Sequence, residues 1–123
     1  IFSEVQIVVD ELLANKNKPD AIFAAADKLT TNCLRIFKTK KMIVPDDIGL
    51  IGFSNIDLAE LLNPPMSVIR QPAFEMGEVA MKLLLQVIES KRPVTDFETK
   101  VLSTEMMIRG STKTLSTHAK KPV

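Results

Sequence analysis

Polar side chains follow two apolar segments that have the composition of buried strands. Ala26 and Asp27 follow the first segment, and Phe53, Ser54 and Asn55 end the second. In open α/β sheets, ligands bind in the crevice beyond the carboxyl ends of the strands. Hydroxyl, amide and carboxylate groups at that place can hydrogen-bond a small polar molecule. We therefore expect a binding site at these residues.

The other residues that could do chemistry are isolated from one another. Cys33 lies in a helical apolar pattern, which indicates a buried reduced thiol rather than a nucleophile or a bridge. His118 is the only histidine, and Asp46 and Asp47 have the setting of a solvated turn before a strand. No glycine-rich phosphate loop follows either strand, and no residues have metal-ligand spacing or pair a nucleophile with a base. The sequence thus predicts binding without catalysis, cofactor or metal.

Composition sets few limits on the partner. The chain has 123 residues, of which 46% are hydrophobic, so one core can form. Its 16 basic and 15 acidic side chains leave a net charge of +1, so we expect no binding to operator DNA by this chain. The opening Ile1-Phe2-Ser3-Glu4 lacks the pattern of a secretory signal, which predicts a cytoplasmic origin.

Apolar periodicity predicts an alternation of helices and strands. Buried strands are predicted at residues 20–26 and 48–55, and amphipathic helices at 4–14, from Asp27 onward, and at 72–88. Uninterrupted apolar runs fit strands that are covered on both faces. A crossover of about twenty residues between the two strands predicts a right-handed βαβ unit. The fold class is therefore α/β, with part of a doubly wound, mostly parallel sheet.

The second half of the chain is less regular. Residues 58–62 form a short apolar segment that either its own domain or a partner must cover. Residues 67–71 suit an edge strand or a crossing strand, and residues 99–103 and 104–108 suit two further strands. From residue 110 to 123 the chain is polar and is predicted to be disordered. In the helix at 72–88, which is too short and charged to span a membrane, Gly77 is expected at a close helix–sheet contact.

Five motifs in order and at matching spacings carry a resemblance to a known family. They are PDAIFAAAD from Pro19, VPDDI from Val44, GFSN from Gly52, PPMSVIRQP from Pro64, and IRGS from Ile108. With them, about residues 3–112 resemble the C-terminal part of the lactose-repressor family of bacterial transcription regulators. The resemblance implies a periplasmic-binding-protein-like effector domain, in which two α/β lobes hold a small molecule between them.

The resemblance also divides the chain. Residues 1–71 correspond to part of the C-terminal lobe, 72–96 to a helix of the N-terminal lobe, 97–110 to a returning strand, and 111–123 to a flexible tail. The DNA-binding headpiece and most of the N-terminal lobe are expected to lie outside this chain. The apolar face of the helix at 72–88 would then lack its sheet.

Site residues follow from the same resemblance. The effector would contact a set at the strand ends and the crossing strand: Ala26, Asp27, Phe53, Ser54, Asn55 and Gln71. A second copy would contact Thr31, Leu58, Leu61 and Leu62. Asp27 is expected mainly to cap its own helix, and Ser54 to matter for binding more than for folding, so that Ser54→Leu would leave the melting temperature nearly unchanged.

Three positions depart from the family pattern. Ala26 and Ser54 stand where the family often has an amide or hydroxyl side chain and an aspartate, so a sugar hydroxyl would lose two partners. Lys41 stands where the family has a helix-ending glycine. A non-glycine residue in a left-handed cap conformation costs about 1 kcal/mol.

The sequence therefore predicts an effector-sensing and dimerisation fragment of a DNA-binding repressor that responds to a small metabolite, a sugar. Operator DNA would be contacted only through the absent headpiece, and no membrane partner is expected. One alternative is a fragment of a periplasmic-type solute-binding protein of a sugar transporter. Another is an enzyme on a doubly wound sheet, because fold alone does not determine function.

Overall fold

The strands and helices alternate as a partly parallel α/β fold. A computed structural model describes residues 1–91, 93 and 95–114. The elements are α1 (Phe2–Ala14), β1 (Ala21–Ala24), α2 (Asp27–Thr39), β2 (Gly49–Phe53), a 3-10 helix (Asp57–Glu60), β3 (Ser67–Arg70), α3 (Ala73–Glu89) and β4 (Glu105–Met107). Within the described residues the strands form one sheet in the order β1-β2-β3-β4, with only β4 antiparallel to its neighbour. The predicted fold class is confirmed.

One face of the sheet carries the core. In register, Ile22 lies beside Leu50 and Val68 lies beside Met107, and all four side chains belong to the apolar cluster. Helix α2 covers this face with a buried stripe, Cys33, Ile36 and Phe37. Helix α1 packs against α2 through Val9 and through Phe2, whose ring lies 4.6 Å from the Arg35 guanidinium carbon. The two predicted helices are confirmed, with a buried stripe on α2 but only Val9 buried on α1.

The opposite face of the sheet is apolar but open. It carries Phe23, Ile51, Phe53, Ile69 and Met106, which alternate along the strands with the core residues. Phe23 is 55% exposed, although its ring meets the Phe53 ring edge-on at 6.5 Å between centroids. The prediction of cover on both faces is therefore wrong for β1, whereas Ile51 and Phe53 of β2 are half-buried.

Helix α3 begins after Pro72, as predicted, but no residue of it is buried. Exposed apolar side chains such as Met81, Leu84 and Ile88 remain on its surface. A Cβ built on Gly77 would meet no atom within 4 Å, so the predicted helix–sheet contact at Gly77 is wrong. No helix within the described ranges is long and apolar enough to cross a bilayer.

The C-terminal part differs from the sequence prediction in three ways. Residues 99–103 form no strand, and β4 has only three residues. β3 lies inside the sheet, between β2 and β4, which excludes the edge strand, one of the two alternatives predicted for residues 67–71. Ser111 is fully buried, so the predicted disorder is wrong there. The rest of the predicted tail from residue 115 to 123, with His118, lies outside the described residues.

Candidate functional site

Three parallel strands end at one edge of the sheet, and the predicted site residues follow those ends. Ala26 and Asp27 come after β1, Ser54 and Asn55 after β2, and Gln71 after β3. Because β1, β2 and β3 run parallel, their carboxyl ends share that edge. The structure thus brings the predicted effector residues to one side of the sheet.

Asn55 and Gln71 are bonded to each other across this edge. The Gln71 backbone N–H donates to Asn55 Oδ1 at 2.8 Å, and Asn55 Nδ2 donates to the Gln71 carbonyl at 3.1 Å. The side-chain amide thereby takes the place of a further pair of backbone bonds beyond the strand ends. Asn55 accordingly fixes the crossing from the sheet into α3, and Gln71 keeps its own side chain at the edge.

Ser54 does not face the edge. It is fully buried, its N–H donates to the Ile69 carbonyl at 3.1 Å, and its Oγ accepts the Ile56 N–H at 3.2 Å. A side chain without exposed surface cannot touch a ligand in this conformation. In this structure Ser54 therefore does not form part of the edge, contrary to the prediction. We now expect Ser54→Leu to lower the melting temperature, because leucine would overpack a closed site.

Ala26 rather than Asp27 precedes the first turn of α2. The Ala26 carbonyl accepts both the backbone N–H and the Oγ1–H of Thr30, each at 3.0 Å. Asp27 is the first helical residue, with no side-chain cap bond, so its predicted capping role is wrong. Its exposed carboxylate still lies at the positive end of the helix dipole. Asp27 therefore remains available at the edge.

A cavity of about 330 Å³ opens between the sheet edge and α3. Its lining includes Phe53, Gln71, Met76, Leu83, Lys100 and Thr104. Two predicted site residues line it, whereas Lys100 and Thr104 were not predicted. Their segment has a strand-like pattern in the sequence, and nothing in that pattern shows that it turns toward α3. The lining therefore combines apolar residues with three polar ones, Gln71, Thr104 and Lys100, of which Lys100 is ion-paired with Glu98.

The predicted dimer residues lie on the covered side of the sheet. Leu58 and Leu61 are 59% and 79% exposed, and Thr31 is exposed on α2. Ala59, between the two leucines, is buried in the same cluster as the α2 stripe. Leu62 differs, because it is half-buried and packs against that cluster. Three of the four residues therefore present free surface on the α2 side.

Cys33, Asp46 and Asp47, the isolated residues that could do chemistry, have structural roles. Cys33 is free and buried, and burial raises the pKa of its thiol, which disfavours the reactive thiolate. Asp47 Oδ2 accepts the Ile43 N–H at 2.7 Å, and the Asp46 carbonyl accepts Lys113 Nζ at 2.7 Å, so both belong to a turn as predicted. Among the described side chains, no three His, Cys, Asp or Glu groups could hold a metal ion.

Comparison with known proteins agrees with this geometry. Residues 3–112 match the family model described as a periplasmic binding protein-like domain. The chain is 35% identical over 107 residues to the HTH-type transcriptional repressor CytR of Escherichia coli (strain K12), covering 87% of this chain and 31% of that protein. It is 32% identical over 103 residues to the ribose operon repressor of Haemophilus influenzae, covering 84% and 30%.

A solved structure of a regulator is similar to this chain as well. The LacI family transcriptional regulator from Enterococcus faecium with bound ribose superposes with a TM-score of 0.71 and 32% identity, over 90% of this chain and 40% of that one. The chain thus spans less than half the length of these relatives. It belongs to the periplasmic binding protein-like domain family and, within it, to the lactose-repressor family of transcription regulators.

Proposed function

We propose that this chain is the effector-sensing and self-associating part of a bacterial DNA-binding repressor that responds to a sugar in the cytoplasm. The observation that carries the proposal is the likeness to a regulator of known structure that holds ribose. The strand-end edge with Asn55 and Gln71, together with the cavity beside it, supports the same assignment.

A sugar suits the groups at this edge. Sugar hydroxyls both donate and accept hydrogen bonds, and the residues Gln71, Thr104 and Lys100 line one cavity with Phe53 and Met76. Lys100 Nζ is also paired with the Glu98 carboxylate. Apolar walls with a few polar groups are typical of small-molecule sites. With Ala26 apolar and Ser54 buried, Gln71 becomes the main predicted contact.

The relatives favour a regulator over the other two alternatives. Those named above are repressors and a transcription regulator, rather than transport proteins or enzymes. The net charge of +1 offers no basic field for DNA, so the repressor would contact operator DNA through a part outside this chain. Catalysis is no part of the proposal.

The effector assignment is tested in the full-length repressor. Operator release is measured against ribose and against a panel of other pentoses and hexoses. Gln71→Ala removes one hydrogen-bonding amide and should raise the half-effective sugar concentration about tenfold. Gln86→Ala, on the exposed surface of α3, is the matched control and should change nothing. Absence of any sugar response, or an unchanged response in Gln71→Ala, contradicts the assignment.

Self-association is proposed through Thr31, Leu58 and Leu61, with Leu62 beneath them. Burial of two exposed leucines on a second copy removes apolar surface from water. Sedimentation equilibrium should show a dimer at micromolar concentrations that Leu61→Asp dissociates. Leu85→Asp on α3 is the control, because that exposed leucine lies on a different surface. A strictly monomeric chain, or dissociation by Leu85→Asp alone, contradicts this surface.

A further inference from the structure

Arg109, two residues after β4, holds the segment that carries the exposed leucines. Its Nη1 donates to the Met66 carbonyl at 2.9 Å, and its Nη2 donates to Glu60 Oε1 at 2.9 Å. The Arg109 side chain is only 15% exposed, whereas that of Glu60 is 71% exposed. Glu60 lies between Leu58 and Leu61 in the chain. One guanidinium thus joins the end of the sheet to the middle of this segment.

The backbone that carries Arg109 is itself fixed. Residues 109–112 lie beside the first residues of β2 and β3. The Arg109 N–H donates to Ser67 Oγ at 2.7 Å, and the Ser67 N–H donates to Ser111 Oγ at 2.8 Å. Ser111 Oγ donates to the Leu50 carbonyl at 2.6 Å, and the Leu50 N–H donates to the Ser111 carbonyl at 2.9 Å. Arg109 therefore extends from a backbone that is hydrogen-bonded to both β2 and β3.

The leucine segment, residues 57–62, has little stability of its own. Its regular part is a four-residue 3-10 helix, and such short helices have poor hydrogen-bond geometry. Ala59 anchors it in the core, and the Met66 N–H donates to the Ala59 carbonyl at 2.7 Å. The bond to Arg109 is a second, charged attachment on the solvent side. Together with Leu62, which packs against the core, they hold the backbone that carries Leu58 and Leu61.

We propose that Arg109 is a positioning residue for self-association: through Glu60 it holds Leu58 and Leu61 in the arrangement that a second copy binds. This role rests on the proposed self-association through those leucines. A surface that is ordered before binding loses less conformational entropy when it binds. Loosening the Arg109–Glu60 pair therefore weakens the dimer, and Arg109→Met does so through a side chain that is only 15% exposed.

The test uses two variants of this chain and one control. Glu60→Ala removes the exposed partner, Arg109→Met removes the donors but keeps an apolar stem, and Glu78→Ala on α3 is the control. Dissociation constants are measured by sedimentation equilibrium well below each melting temperature. Exchange of the Leu61 amide, which donates to the Leu58 carbonyl at 2.9 Å, reports the order of the segment.

Glu60→Ala should raise the dimer dissociation constant about threefold, as expected for one exposed ion pair, and should speed Leu61 amide exchange with little change in melting temperature. Arg109→Met should raise the dissociation constant and speed the exchange more than Glu60→Ala does. The double variant should behave like Arg109→Met alone. A dimer that Leu61→Asp dissociates but that neither Glu60→Ala nor Arg109→Met weakens overturns the positioning role alone. A monomeric wild type overturns the self-association and this role with it.

Discussion

Lys41 ends α2 in the left-handed conformation, with φ of 56°. Its N–H donates to the Lys38 carbonyl at 3.1 Å, and the Met42 N–H donates to the Phe37 carbonyl at 2.9 Å. These two bonds form a Schellman motif, which satisfies carbonyls that the helix end would otherwise leave unpaired. Glycine is the residue that adopts this conformation without a Cβ penalty. The left-handed conformation expected at Lys41 from the family resemblance is confirmed by this geometry.

Lys41→Gly should therefore stabilise the chain by about 1 kcal/mol in its free energy of unfolding, because it removes the Cβ crowding. Urea denaturation followed by circular dichroism measures the change. The control is Lys40→Gly, since Lys40 has an ordinary helical φ of −80° and should lose stability instead. Equal effects of the two substitutions would contradict the strain at Lys41.

Cys33 gives a pH prediction. Burial raises the pKa of its thiol above the ordinary value of 9.0, so the unfolded chain ionises first as pH rises. The contribution of the neutral thiol to stability is present below pH 9.0 and is lost as pH rises from there through the folded pKa. Wild type should lose more stability than Cys33→Ala between pH 8 and 10.5, measured by urea denaturation. Parallel pH profiles would contradict the raised pKa.

Ser54 shows what residue-level sequence reasoning missed. The strand was located correctly, but it ends at Phe53 rather than at residue 55, and the direction of each side chain there was not predicted. Side chains alternate across a strand, and Phe53 lies on the open face of the sheet. Ser54 must then turn toward the covered face, where it is fully buried. The sequence shows the alternation of side chains, but it does not show which face of the sheet α2 covers.

At the scale of elements, α2 and β2 approach closely at one position. A Cβ on Gly52 would lie 2.7 Å from Thr30 Oγ1 and 3.0 Å from Thr30 Cγ2. Thr30 is fully buried and its hydroxyl is bonded to the Ala26 carbonyl, so it cannot move aside freely. The absence of a side chain at Gly52 therefore sets the distance between the helix and the sheet.

Gly52→Ala should lower the free energy of unfolding by about 1–3 kcal/mol, as overpacking of a closed contact does. Gly77→Ala is the matched substitution, because nothing lies within 4 Å of its added Cβ. It should instead strengthen α3 by about 1 kcal/mol of helix propensity. Denaturation monitored at 222 nm measures both variants. A stable Gly52→Ala would show that α2 can shift on the sheet.

The helices and strands were predictable to different degrees, for physical reasons. Apolar periodicity within the chain located α1, α2 and α3, because a helix makes its backbone bonds locally. A strand needs a neighbour, and residues 99–103 have none in the structure despite a strand-like pattern. Periodicity could not predict the exposure of α3 either, because it identifies an apolar face but not the surface that covers it.

At the scale of the molecule, apolar surface remains open at the sheet face with Phe23 and on α3. The chain spans 31% of its repressor relative, and similar regulators are correspondingly longer. The family resemblance predicts an effector held between two lobes, of which these residues supply mainly one. The strand-end edge with Asn55 and Gln71 is then one wall of the expected site, and the cavity beside α3 is open to solvent.

That half-built site leads to a prediction for ribose binding. A ligand gains most of its affinity when most of its surface is buried, and one wall provides about half of the contacts. Calorimetric titration of this chain with ribose should therefore give a dissociation constant in the millimolar range or weaker, about 4 kcal/mol of binding free energy or less. The full-length repressor should bind at least tenfold more tightly, and Gln71→Ala should weaken that binding. Micromolar binding of ribose to this chain alone would show that the edge and the cavity beside α3 already form a complete site.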